Sequence, residues 1–300
     1  MRWAVAGYGD VVRRRVLPAL RALGEEPVYV WGRDAGRAAR TAAEFGVPAG
    51  GDDPARLTAA DAVYVATPVA GHVPVGLHAL RAGCHVLIEK PLAGALGGGG
   101  ALTEAAAAAG LCAGVAYYRR LGPAARQLRE ALTAGAPARV HLTFCTPFEP
   151  APDDPGLWRT DPAVAGGGVL ADAGSHRLDL LLSVLGPPVR VGARFGRRFP
   201  AGAERRAHVT LGWASGTSAE CRFAWAGGAE RDRIDVTAGG RFLTLDPLDA
   251  GLAPEPHVPL IADFTAAVRE GRAPVCPVAD AVLVDDIVTT ACWAARFRNG

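Results

Sequence analysis

The sequence is almost without lysine. Lys90 is the only one in 300 residues, set against 31 arginines. An Ala-, Gly- and Arg-rich composition of this kind is what a GC-rich genome produces. It accounts for the missing lysines but not for the place of the one that remains. Cysteine is no more help to a metal or a disulfide scaffold: Cys84, Cys112, Cys145, Cys221, Cys276 and Cys292 stand far apart with no CxxC pair. That spacing argues against a cysteine-rich metal site and against a disulfide framework. The six read as reduced, mostly buried thiols of a cytoplasmic protein. No leader is read ahead of the first strand-like run, since RWAVAG begins at residue 2. No apolar run reaches membrane-spanning length. Positive charge is plentiful but dispersed, with a formal net charge of +2. The densest run, Arg13-Arg14-Arg15, reads as a solvated helix face, and nothing forms the basic stripe of a nucleic-acid binder. Neither nucleic acid nor membrane is expected among the partners.

Half of the residues are hydrophobic, enough for large cores, and the length suggests two domains. Up to about Tyr118, short apolar runs (Trp3–Ala6, Val28–Trp31, Ala62–Ala66, His85–Ile88, Leu111–Ala116) alternate with helical patterns (Val11–Leu23, Ala35–Phe45, Val73–Ala82, Ala101–Ala109). That is the grammar of βαβ units and a parallel sheet. Pro18 suits a kink or the first turn of a restarted helix, and Gly97–Gly100 reads as loop. Beyond Tyr118 the grammar changes. An amphipathic stretch, Ala124–Leu132, precedes strand-like alternations at Arg139–Phe144, Val189–Phe195, His208–Trp213, Ala219–Trp225, Arg233–Val236 and Phe242–Leu245. Strands that follow one another without long helices argue for an antiparallel sheet. One helix interrupts them, Ser175–Leu185, ended by Gly186-Pro187-Pro188. Helical segments near Pro259–Glu270 and Ala279–Arg296 close the chain. The fold expected is α/β: a doubly wound Rossmann domain over 1–118, then an α+β domain over 119–300 with a large open, mostly antiparallel sheet.

Three stretches carry chemistry. In AGYGDVV, Gly7-Tyr8-Gly9 follows the first strand and opens a helix. The first glycine permits a tight turn, and the second lets backbone approach a pyrophosphate on the helix N-terminus. A GxG alone is a weak signal; after the first strand of a βαβ unit it is a stronger one. Gly7, Tyr8, Gly9, Asp10 and Val11 are therefore expected to bind a dinucleotide. Val12 stands where a third glycine would let helix and strand pack closely, so the helix is expected to be pushed outward. Strand two ends Trp31-Gly32-Arg33-Asp34. An acidic residue at the strand end would hold ribose hydroxyls and favour NAD. Trp-Gly stands there instead, and the Arg33 guanidinium can pair with a 2′-phosphate and stack on adenine. NADP(H) is thus favoured over NAD(H), with Asp34 arguing the other way.

In VLIEKPLAG, Lys90 ends an apolar run and so lies at the carboxyl end of a parallel strand, where open α/β sheets bind ligands. Pro91 restricts it to extended geometry. Arginine stays charged at any working pH, whereas a lysine ammonium gives up its proton when desolvated or placed beside another cation. It can therefore donate a hydrogen bond to a reacting oxygen or relay a proton, and Glu89 can orient or tune it. The third stretch, GGGVLADAGSHRLDLL, starts at Gly166. Asp172 and His176 are four apart, so at a helix start both can face one cleft. There a carboxylate and an imidazole can grip and deprotonate a substrate hydroxyl. Asp179 reads as an orienting or packing residue. The bland alternatives are a capping Asp172 and a satisfied interfacial His176. No further metal-ligand spacing is apparent, so no metal is expected.

Together these stretches resemble the GFO/IDH/MocA oxidoreductases over nearly the whole chain. The marks are GYG, VATPVAGH (Val65–His72), AGCHVLIEKPLA (Ala82–Ala93), GLWR (Gly156–Arg159) and the DxGxH block. The resemblance implies a Rossmann domain, a second domain with a large open sheet, bound NAD(P), and a catalytic set at Lys90, Asp172 and His176. It further implies that Thr67, Pro68 and His72 line the cofactor loop, with Glu89 beside them, and that Trp158 and Arg159 belong to the substrate cleft. The departures are Val12 for the third glycine, Cys84 where relatives often have lysine, Pro68-Val69 for the commoner Pro-Asn, and a shorter chain. The activity implied is hydride transfer between a nicotinamide and a carbinol or ketone carbon of a sugar, cyclitol or related polyol. Two alternatives stay open: a catalytically silent NAD(P)-binding regulator, and a redox-neutral enzyme that keeps its cofactor tightly bound. Apolar positions such as Val209, Leu211, Trp213, Phe223 and Trp225 on an open sheet suggest a homodimer or homotetramer.

Overall fold

The alternation of apolar runs and amphipathic stretches ahead of Tyr118 becomes a six-stranded parallel sheet in the computed structural model, which describes residues 1–132, 137–246 and 255–297. By their internal contacts the residues gather into two units. The first comprises Met1–Ala93, Gly98–Tyr118 and Ala253–Ala281, and the second Gly94–Gly97, Arg119–Leu252 and Val282–Gly300. A single cut at 118 would assign Ala253–Ala281 to the second half of the chain.

The strands of the first unit are β1 (Arg2–Ala6), β2 (Glu26–Trp31), β3 (Gly50–Gly51), β4 (Ala62–Val65), β5 (His85–Ile88) and β6 (Ala113–Val115). They lie in the order β3-β2-β1-β4-β5-β6, every pair parallel. The order reverses between β1 and β4, the switch point at which such sheets open a ligand crevice at their carboxyl ends. Trp3, Val5, Val63, Tyr64, Val86 and Ile88 are fully buried, as expected of strands covered on both faces. After the glycine turn the chain makes a wide π-turn, Val12–Val16, before the α-helix Leu17–Ala22, with Pro18 in its first turn. Val12 is fully buried there, and the wide turn gives room to a β-branched side chain where a glycine would sit. One expectation is corrected: Gly97–Gly100 is not all loop. Gly98, at φ +86, caps a helix that runs Gly99–Ala109, because the alanine run behind carries helix formation back across two glycines.

The second unit holds β7 (Ala138–Thr146), β8 (Arg190–Arg198), β9 (Glu204–Gly212), β10 (Ser218–Trp225), β11 (Arg231–Ala238) and β12 (Arg241–Leu245). Their order is β12-β11-β7-β10-β9-β8; only β7 and β10 pair in parallel, so the sheet is mixed and mostly antiparallel. Burial alternates with period two: Val140, Leu142 and Phe144 of β7 and Cys221, Phe223 and Trp225 of β10 are covered. Val209, Leu211 and Trp213 are buried as well, so the five apolar positions expected to serve a second copy belong to this unit's own core. The opposite face is polar and carries His141, His208, Glu220 and Arg222. All six cysteines are free, but three of them, Cys112, Cys145 and Cys292, are only half-buried. Among the described residues no helix is long and apolar enough to cross a membrane.

Candidate functional site

In the first unit the site residues collect at the carboxyl ends of β1, β4 and β5. Gly7 leaves β1 at φ +131 and donates its N–H to the Trp31 carbonyl at 2.8 Å. A Cβ on Gly7 would lie 2.4 Å from the Ala66 carbonyl oxygen, so only glycine lets the turn close against the end of β4. Gly9 is the opposite case: a Cβ there would meet nothing within 4 Å, and its backbone is open to an approaching group. A turn closed at Gly7, open at Gly9 and followed by a helical turn fits the pyrophosphate of a dinucleotide. Exposed Asp10 and half-buried Val11 continue it. Thr67, just after β4, is a second mark of fit. Its Oγ1 is buried with no hydrogen-bond partner among the described residues. An unpaired buried hydroxyl costs about 1–3 kcal/mol, which a polar atom of a bound cofactor would relieve.

At the end of β2 the Tyr8 ring lies over Gly32, where a Cβ would come within 2.0 Å of it. The Arg37 guanidinium sits 4.6 Å from the centroid of the same ring. Asp34 caps the helix Ala35–Glu44, its carboxylate accepting the Arg37 N–H at 2.9 Å. Arg33 and Arg37 are both exposed. The acid that argued for NAD is thus engaged by a helix end, and the Arg33 and Arg37 side chains are exposed beside it.

His72 is buried behind the Thr67-Pro68 loop. Its Nε2 lies 2.9 Å from the Thr67 carbonyl, and its Nδ1 lies 2.9 Å and 3.2 Å from the carbonyls of Pro91 and Leu92. Burial pushes its pKa down, and these carbonyls offset that only in part. The ring therefore backs the loop and lies against the segment after Lys90, and a neutral imidazole donates to one of the two. Lys90 lies two residues beyond the end of β5, and its bond to Pro91 is cis. The Glu89 carboxylate beside it accepts the Tyr64 hydroxyl at 2.8 Å, His257 Nε2 at 3.1 Å and the Lys90 backbone N–H at 3.3 Å. Burial alone would raise the Glu89 pKa; the His257 and Tyr64 hydrogen bonds and the nearby Lys90 charge outweigh it and hold the carboxyl below its usual range. Burial, and then the Glu89 charge, push the Tyr64 phenol well above its ordinary value. Tyr64 and His257 carry no motif, and sequence reasoning missed both.

In the second unit Gly168 lets its segment cross β9, where a Cβ would lie 2.2 Å from the Glu204 carbonyl oxygen. A wide turn, Leu170–Gly174, then leads into the helix Ser175–Leu185. Asp172 is partly exposed and lies 3.5 Å from Arg159 Nε. The Arg159 guanidinium in turn stacks 4.7 Å above the Trp158 ring. The structure thus gathers Trp158, Arg159 and Asp172 on one rim, with His176 buried one turn on. The helix that carries His176 is braced by three buried ion pairs. Arg177 and Arg119 share Asp232, and Arg120 grips Asp179 with Nε at 3.0 and 2.9 Å and Nη2 at 2.6 Å. Asp179 is therefore a packing residue, while Arg119, Arg120 and Asp232 were missed. Lys90 belongs to the first unit, and Asp172 and His176 belong to the second.

Residues 1–117 match the family described as an oxidoreductase family with an NAD-binding Rossmann fold, and residues 124–239 match the GFO/IDH/MocA C-terminal domain. The dTDP-3,4-didehydro-2,6-dideoxy-alpha-D-glucose 3-reductase of Streptomyces antibioticus is 33% identical over 335 residues, covering 99% of this chain and 98% of that protein. The D-xylose 1-dehydrogenase (NADP(+)) 2 of Haloferax volcanii is 31% identical over 222 residues, 73% of this chain and 68% of its own. Among solved structures, the UDP-N-acetylglucosamine 3-dehydrogenase of Acidithiobacillus ferrooxidans superposes with a TM-score of 0.86 at 26% identity, covering 99% of this chain and 98% of that one.

Proposed function

The chain belongs to the GFO/IDH/MocA oxidoreductase family, and on that premise we propose how its residues act on a sugar carbon. The reaction is hydride exchange between a nicotinamide dinucleotide and a carbinol or ketone carbon of a sugar, cyclitol or related polyol. The dinucleotide, which Gly7 to Val11, Thr67 and Pro68 would hold, supplies or accepts the hydride. Lys90 donates a hydrogen bond from its ammonium to the reacting oxygen and stabilises the negative charge that develops there. His176 takes the carbinol proton in oxidation and returns it in reduction. Asp172 accepts from a neighbouring hydroxyl and fixes orientation, with Trp158 and Arg159 on the same rim. The observation that carries this reading is the buried His72 ring. It packs between the Thr67 carbonyl and the Pro91 and Leu92 carbonyls, which supports setting the segment after the chain's only lysine beside the loop that fits a dinucleotide.

The engaged Asp34 and the exposed Arg33 and Arg37 favour NADP(H) over NAD(H). The relatives named for a 3-reductase and a 3-dehydrogenase favour carbon 3 of a hexose, with nucleotide sugars first. The setting proposed is cytoplasmic and the assembly a homodimer or homotetramer, though the buried Val209, Leu211 and Phe223 belong to the unit's own core and do not drive it. Fluorescence titration with NADPH and NADH, then turnover across hexoses, cyclitols, keto-sugars and nucleotide sugars, tests the reading. Turnover with NADP(H) is expected. Tight binding without turnover would select the silent regulator, and a co-purifying cofactor never reduced in net would select the redox-neutral enzyme.

A further inference from the structure

His257 lies 168 residues from Glu89 in sequence yet bonds it in the folded first unit. It opens the helix His257–Glu270, within the C-terminal segment that gathers with the Rossmann strands. Its side chain is 5% exposed and that of Glu89 12%, so neither relies on bulk water. The two carboxylate oxygens have separate tasks. Oε1 receives both the Tyr64 hydroxyl and His257 Nε2, and Oε2 accepts the backbone N–H of Lys90 at 3.3 Å. An ionised carboxylate only accepts, so His257 donates from Nε2. Two donors on one oxygen fix the plane of the carboxylate and hold the other oxygen at the Lys90 backbone amide, at the root of a lysine whose charge lies near the carboxylate. The rings of Tyr118 and Tyr64, 5.3 and 6.5 Å from the imidazole, wall it in. The titratable groups gathered about Glu89 are Tyr64, His72, Lys90, Tyr118 and His257.

We propose that His257 is a positioning residue for Lys90, acting through Glu89. The proposal rests on the reading of Lys90 as the ammonium at the reacting oxygen. A lysine stem has many rotamers, and a fixed anion at its base selects its direction. Without the His257 donor, Glu89 keeps one side-chain anchor instead of two and swings away from Lys90.

The single lysine makes the test direct. Reductive methylation with isotope-labelled formaldehyde places a dimethylammonium probe on one ε-amine, resolved from the α-amine, and carbon NMR follows its chemical shift. Glu89→Gln is expected to move the methyl resonance of the probe from its wild-type position, since a neighbouring anion is gone. His257→Leu is expected to move it in the same direction, and His257→Gln, whose amide still donates, to stay near wild type. In turnover, His257→Leu is expected to lose about tenfold in kcat with KM and cofactor Kd within about twofold, and His257→Gln to recover most of it. A methyl resonance that stays in place in His257→Leu, or moves opposite to Glu89→Gln, overturns the proposal, because Glu89 would then hold its place unaided. Cofactor affinity falling in step with kcat also overturns it and makes Glu89 a cofactor ligand. Should His257→Leu not fold, Tyr64→Phe removes the other donor on the same oxygen and is read in the same way. A wild-type protein that turns over no sugar would sink the catalytic reading, while the probe would still decide the role of His257.

Discussion

Replacing Asp232 with alanine removes the carboxylate that two buried guanidiniums share. Arg177 donates to it from Nε at 3.0 Å and pairs again through Nη2, and Arg119 reaches it from Nη1 at 3.2 Å. The side chains are 3%, 7% and 0% exposed for Arg177, Arg119 and Asp232. Deleting one partner of a buried pair costs about 3–5 kcal/mol, because the remaining charge stays desolvated without compensation. Arg177 keeps the Ala173 carbonyl at 2.7 Å and the Phe144 ring at 4.0 Å, which limits its share of the loss. Arg119 Nε already lacks a partner among the described residues, so its share is undiluted. At roughly 2–4 °C per kcal/mol for a domain of this size, the thermal midpoint is expected to fall by roughly 6–20 °C. Scanning calorimetry reads it, with Asp232→Asn, which keeps shape and one acceptor, falling between alanine and wild type. Arg177 directly follows His176, so kcat measured well below both midpoints is expected to fall while dinucleotide binding, a property of first-unit residues, is unchanged. A midpoint within about 3 °C of wild type would refute the reasoning, since the guanidiniums would then have found water.

Lys90→Arg is expected to lose at least about 100-fold in kcat, because a planar, forked guanidinium cannot set one N–H where the compact ammonium meets the reacting oxygen, with cofactor Kd held within about twofold; retention of most turnover would remove Lys90 from the chemistry. Burial pushes the Glu204 carboxyl up, and the hydrogen bonds it receives, including the Leu170 N–H at 3.1 Å, together with the Arg198 charge offset this only in part. Such a group binds its proton more tightly when folded, so it costs stability as pH rises from its unfolded pKa to its folded one; Glu204→Gln is expected to raise the thermal midpoint near neutral pH but not below the unfolded carboxyl range, and an equal gain at both would count against it. Gly7→Ala sets a Cβ 2.4 Å from the Ala66 carbonyl oxygen at φ +131 and is expected to abolish dinucleotide fluorescence enhancement, an outcome that wild-type affinity would contradict.

What the sequence discloses, and what it hides, follows from how each contact is written in it. A parallel strand buried on both faces is a continuous apolar run, so Ala62–Val65 and His85–Ile88 are legible to within a residue. β3 is two glycines with no pattern to read, and it passes unseen. Gly7 and Lys90 are legible for a stronger reason: one position admits no side chain, and the other holds a residue type that the rest of the chain does without. Ion pairs between distant segments leave no local period, yet some leave a trace. Asp232 falls in phase with Ile234 and Val236 on the covered face of β11. A carboxylate at a phase that calls for an apolar side chain needs a buried cation, so Asp232 announces a partner before Arg177 or Arg119 is known to be near. His257 has no such phase to violate. A histidine opening a helix is at home in solvent, and only the return of Ala253–Ala281 to the Rossmann strands turns it into a buried donor to Glu89. Residues that break the pattern of their own element can thus be found from sequence, whereas those that act through a distant segment while fitting their own element cannot.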